Sequence, residues 1–121
     1  MPSQKEIELY ETLQPKVASI RDTIKDLSNK KPDSTLNSFK VKRVNLLLEQ
    51  ANTLLKALKP YEDFTTFDED DLPTNSDVLM ILNLYIESFE KYWQDNSETF
   101  PNPFEFDQEK RNWKNTNNSK R

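Results

Sequence analysis

Residues 36–58 read LNSFKVKRVNLLLEQANTLLKAL, and this stretch decides the fold. At about 100° per residue, Leu36, Val41, Val44, Leu47, Leu48, Ala51, Leu54, Leu55 and Leu58 gather on one broad face. A face that wide predicts a helix that touches two neighbours rather than one, and hence a bundle. The expected helix spans about 34–59. Asp33 or Ser34 would cap it, Lys56 and Lys59 would complement its C-terminal dipole, and Pro60 would stop it.

One neighbour lies upstream. Ser3 and Glu6 form an S-x-x-E capping box, in which each side chain satisfies an orphan amide at a helix start. Tyr10, Leu13, Val17, Ile20, Ile24 and Leu27 then follow at alternating steps of three and four, a heptad seam on one narrow face. The predicted helix covers about 4–29. Pro15 lies inside it and cannot donate to the carbonyl of Glu11, so a kink is expected there. The seam keeps its register across Pro15, which favours a kink over a break. Pro32 ends the segment.

The other neighbour lies downstream. Val78, Leu79, Ile81, Leu82, Tyr85, Ile86, Phe89, Tyr92 and Trp93 predict a helix over about 77–94 with a very wide apolar face. Three helices joined by one short and one long connection give an all-α, three-helix, up-down-up antiparallel bundle over 1–95. Beyond it, 96–121 reads as an extended aromatic tail punctuated by Pro101 and Pro103, in which a short helix could form from Asp107 to about Lys114, with a polar, disordered end expected. No repeat and no strand signal of any strength is visible.

Composition narrows the function. The chain has 121 residues, a net charge of −4, and no Cys, His or Gly. Without Cys there is no disulfide, thiolate metal site or Cys nucleophile. Without His the commonest general base and metal ligand are gone, and without Gly no phosphate-cradling loop can be built. Carboxylates are plentiful, but no recognisable motif places them. The expectation is therefore a protein that is not an enzyme and takes no cofactor. The polar opening Met1–Glu6 does not read as a secretory signal, and the longest apolar run, Val78–Leu82, is far short of the ~20 residues that span a bilayer. A cytoplasmic or nuclear location is the simplest expectation. Net negative charge argues against nucleic acid or an anionic membrane as the main partner.

Four surface features are candidates for contact. Met80 and Leu84 lie outside the apolar face of the third segment, four residues apart and adjacent on the helix. Phe39 and Leu46, seven apart, lie together on one edge of the second. Either the tail folds back over one pair, a partner helix lies there, or the pairs are simply exposed, as scattered surface apolars ordinarily are. The linker 60–75 alternates Tyr61, Phe64 and Phe67 with acids, ending in Asp68, Glu69, Asp70 and Asp71. A calcium loop is excluded, because Pro73 and Leu79 stand where an EF-hand needs its Gly and its final acid. The plainer reading is a solvated loop with its aromatics against the bundle. A basic surface steered by the acids is the functional one. Thr65 and Thr66 each have an acid three residues on, the pattern an acid-directed kinase accepts. In the tail, Phe104, Phe106 and Trp113 are aromatic anchors.

These features point to a small interaction module, a subunit or adaptor of a multi-protein complex that docks a partner helix or a basic surface. Two other readings remain. Lys110, Arg111, Lys114, Lys120 and Arg121 around Trp113 could serve as a nucleic-acid accessory tail. Alternatively, the seam of the first segment could pair between chains as a self-associating coiled coil.

Overall fold

The computed structural model describes residues 2–101 and 109–114. The described residues form three helices, α1 (Gln4–Lys30), α2 (Ser38–Leu55) and α3 (Asn75–Asn96), then two short strands, β1 (Ser97–Pro101) and β2 (Glu109–Trp113). The fold is mostly helical, as the apolar periodicities predict.

The helix starts follow from short polar side chains. At α1 both bonds of the capping box form: the Glu6 amide donates to Ser3 Oγ and the Ser3 amide to Glu6 Oε1, each at 3.1 Å. α1 runs through Pro15, and its seam turns inward, with Leu13, Val17 and Ile24 fully buried. Those three members of the seam pack within the chain, while Tyr10, Ile20 and Leu27 are only partly buried.

α2 is shorter than its periodicity suggests. Its cap is Asn37, whose side chain accepts from the Lys40 amide at 2.8 Å, rather than Asp33 or Ser34. The residues before it are extended instead. Thr35 bridges Thr74, the Leu36 amide donates to the Pro73 carbonyl at 2.9 Å, and Leu36 is buried as a plug. At the other end α2 stops at Leu55 rather than at Pro60. Lys56 adopts φ 54°, and a single 3-10 turn, Lys56–Leu58, follows. α3 begins two residues earlier than expected, capped by Thr74, which accepts from the Asp77 amide at 3.2 Å.

The direction of the helices differs from the expected up-down-up order. Glu6 near the start of α1 pairs with Lys56 just past the end of α2, so α1 and α2 are antiparallel. Tyr10 packs on Phe89, Tyr92 and Trp93 near the end of α3, and Arg21 donates to Asn83. At the far end the Asn75 side chain donates to the Lys31 carbonyl. α1 and α3 are thus antiparallel too, which leaves α2 and α3 parallel: the order is up-down-down.

The linker makes this possible. An extended stretch of about 15 residues reaches about 50 Å, whereas an 18-residue helix is only about 27 Å long. After the 3-10 turn the chain runs back along α2 as a strap and delivers α3 to the end where α2 began. Side chains of α2 hold it. Asn52 Nδ2 donates to the Thr65 carbonyl, and Asn45 donates to the Phe67 carbonyl while accepting from the Phe67 amide, all at 2.9 Å. Asn52 also accepts from the Tyr85 hydroxyl, joining strap, α2 and α3. Phe64 and Phe67 meet edge to face and pack with Leu72 against the core. Leu48, Leu82, Val44, Val78 and Tyr85 lie wholly inside.

The end of the described chain is strand, not helix. β1 and β2 pair antiparallel, Ser97 opposite Trp113 and Pro101 opposite Glu109. A two-stranded hairpin is marginal alone. This one is anchored at its base, where Trp113 packs on Tyr10, Tyr92 and Trp93 at centroid distances of 5.0, 6.1 and 4.6 Å. Over Glu109–Trp113 the short helix that the sequence allowed gives way to a strand, whose register with β1 sets Trp113 opposite Ser97.

Candidate docking surface

Phe39 and Leu46 come out of α2 on the side that borders α1. They are 66% and 52% exposed, the former with the Arg43 guanidinium 5.2 Å from its ring centre. Leu46 forms one wall of a shallow groove of about 460 Å³ between α1 and α2, with Ile20 and Leu47 as its apolar partners and Lys16 and Arg43 as its charged members. Ser19 and Thr23 complete the lining, so no carboxylate enters it. In a chain of net charge −4, an apolar groove whose charged lining residues are both cations is a distinct electrostatic feature.

The helix geometry explains the groove. The inward arc of α2 carries Val41, Val44, Leu48, Ala51 and Leu55, all buried. Leu46 and Leu47 sit past the edge of that arc, where the surfaces of α1 and α2 diverge. Ile20 is the member of the α1 seam nearest that divergence, which leaves it partly exposed. On its other side Leu46 borders a second hollow, shared with Lys42, Asn45, Glu49 and Glu69. Leu46 is therefore a ridge between a cationic groove and a mixed-charge hollow.

Met80 and Leu84 are elsewhere. Met80 is 52% exposed on α3. Leu84 is half-buried in a hollow with Leu58, Pro60, Tyr61, Glu87 and Lys91, so the turn after α2 covers part of it. The described part of the tail covers neither pair, because Trp113 folds onto the paired ends of α1 and α3. Phe104 and Phe106 lie outside the described residues.

Asp68, Glu69, Asp70 and Asp71 are exposed on the strap. The Asp68 carboxylate accepts from the Asp70 amide at 2.8 Å, closing a turn, and Glu69 accepts from Asn45 at 3.4 Å. Among the described residues none of the four makes an ion pair. No group of three or more potential metal ligands occurs among the described residues.

The aromatic cluster at the opposite end from Asn75 has its own electrostatics. Burial pushes the Tyr10 phenol up to about 12, helped by the negative charge of Glu90. Burial does the same to Tyr92, also to about 12, with Glu6 contributing. The Tyr92 hydroxyl finds no hydrogen-bond partner among the described residues. Hydrogen bonds from Ser3 and the nearby Lys56 hold the Glu6 carboxyl below its ordinary value.

Sequence reasoning missed the two asparagines that hold the strap. Asn45 and Asn52 are seven apart, so they share one flank of α2 beside its core residues. Two amides stacked beside an apolar arc are a signal that extended backbone lies against that flank.

No protein-family model matches the chain, and neither a curated protein nor a solved structure is similar to it. No helix among the described residues is long and apolar enough to cross a membrane.

Proposed function

We propose that this chain is a non-enzymatic docking module, a subunit or adaptor whose α1–α2 groove receives an amphipathic helix with acidic flanks. The observation that carries the reading is the groove itself: Ile20, Leu46 and Leu47 lined up with Lys16 and Arg43 and no acid among them. Apolar anchors with charge at the rim suit a partner helix, the anchors supplying desolvation and the rim supplying register and encounter rate. Phe39 extends the same edge by nearly two turns. A basic partner suits the strap's acids instead, and would leave the groove uncovered.

The test is capture from native cell extract with three full-length chains: parental, Leu46→Glu and Met80→Glu. Leu46→Glu removes an anchor and sets a carboxylate against an acidic partner, so a protein held by the parental chain should bind at least about tenfold more weakly. Met80→Glu should hold it unchanged. Raising salt should weaken the parental capture, since rim charges are screened. If all three chains retain the same proteins equally, the groove is not the docking surface.

A further inference from the structure

The strap has a property the docking groove does not use: it carries a phosphate acceptor at the point where α2 holds it down. We propose that Thr65 is a phosphorylation site for an acid-directed Ser/Thr kinase, and that the phosphate keeps the strap lifted from α2.

Three observations converge on Thr65. Its side chain is exposed, and its hydroxyl makes no hydrogen bond among the described residues. Thr66, the other residue with an acid three positions on, is half-buried. The segment around Thr65 lies between the 3-10 turn and α3 with no helix or strand to unwind. The acids after it, Asp68, Glu69 and Asp70, are exposed and form no ion pair among the described residues, so they are available to the basic groove that such a kinase presents.

The chemistry is ordinary phosphoryl transfer. Thr65 Oγ1 attacks the γ-phosphorus of ATP, a new oxygen–phosphorus bond forms as the bond to the ADP oxygen breaks, and the hydroxyl proton passes to the kinase's catalytic carboxylate. A kinase takes its substrate extended and away from competing contacts. The Asn52–Thr65 and Asn45–Phe67 bonds must therefore open first, so the modified form is drawn from the lifted state. Once added, the phosphate brings about two negative charges beside Glu62, Asp63 and Asp68. Neither Asn45 nor Asn52 can neutralise it. Repulsion then opposes reclosure, and Phe64 and Phe67 lose their cover.

The experiment uses the purified full-length chain, a purified acid-directed Ser/Thr kinase and magnesium-ATP, with intact mass and fragmentation as readout. One phosphate should appear on Thr65 of the folded protein and be absent in Thr65→Ala. Asp68→Asn should slow its addition by roughly tenfold, since the acid three residues on is the recognition element. Asn45→Ala, checked for retained helix content, should speed it, because the strap lifts more often; Asn52→Ala serves if that variant does not fold. Hydrogen exchange at the Phe67 amide should be roughly tenfold faster in the phosphorylated protein. No incorporation, or incorporation at Thr66 alone, overturns the site. Incorporation at Thr65 with an unchanged rate in both asparagine variants and unchanged Phe67 exchange overturns the lifting. Neither result bears on the α1–α2 groove, which the capture experiment tests separately.

Discussion

At Lys56 an L-residue occupies φ 54° and ψ −119°, a region that costs a side-chain-bearing residue about 1–3 kcal/mol. A chain with no glycine must place some such residue wherever its backbone turns this way. The Lys56 side chain gives little back, since its contact with Glu6 is 3.7 Å long and solvent-exposed. Lys56→Gly should raise the unfolding free energy by about 1 kcal/mol, part of the relieved strain being offset by the freer unfolded chain. Urea denaturation checks this, and a lower midpoint would mean that the Glu6 contact outweighs the strain. Tyr10 and Tyr92 give a second prediction. Both are held neutral up to about 12 against an ordinary value of 10.0, so the folded state binds their protons more tightly. Their contribution to stability is complete below pH 10 and is lost as pH rises towards 12. Tyrosinate absorbance followed alongside helix content should show these two phenols ionising together with alkaline unfolding. Ionisation of both near pH 10 in a fully helical protein would refute it. Capping at Ser3 was legible in the sequence because its partner lies within one turn. The roles of Asn45 and Asn52 were not, because their partners lie 22 and 13 residues away.

Among the elements, α1 carries the clearest local defect. It continues through Pro15, which leaves the Glu11 carbonyl without its usual donor and sits exposed on the outer face. Pro15→Ala restores that donor with the best helix former and should raise stability by about 1–3 kcal/mol without altering the fold. A loss of stability would show that the ring itself serves a packing role. Helix existence was readable from period, and so were the ends of α1, whereas the ends of α2 were not. α2 starts late because Thr35 and Leu36 are recruited by Thr74 and Pro73, contacts that exist only once α3 is in place. The same holds for β1 and β2. Neither has the alternation of a strand, and pairing becomes favourable only when Trp113 finds the rings of Tyr10, Tyr92 and Trp93.

For the molecule as a whole, the core is continuous across α1, α2, α3 and the strap, with Leu48 and Leu82 both fully buried within it. Leu48→Asp or Leu82→Asp places an unpaired carboxyl there and should cost several kcal/mol, on the order of the whole stability of a small domain. Thermal melting is the check, and a melting temperature unchanged in both variants would mean this core is not the one that holds the chain. Leu82→Ala should cost about 2–5 kcal/mol and leave a folded protein, which separates a lost core contact from an introduced charge. The parallel course of α2 and α3 also makes the strap a structural part of the bundle. Its Phe64, Phe67 and Leu72 pack against the core alongside the helices. The candidate groove was half legible: Phe39 and Leu46 stand out from the pattern of α2, with Arg43 one helical turn from each, but Lys16 and Ile20 join Leu46 only through the packing of α1 on α2.

By itself the sequence determined what depends on neighbours within a turn or two: three amphipathic helices, the Ser3–Glu6 cap, a helix that survives Pro15, and the burial of Leu48 and Leu82. Those follow from side-chain period and reach, which are local. Helix direction, the strap's course, the hairpin and the lining of the groove were decided only by tertiary structure. A linker of this length reaches either end of α2, so the chain pattern permits both directions. The choice falls to Asn45, Asn52, Leu36 and Trp113, whose partners come from distant parts of the chain.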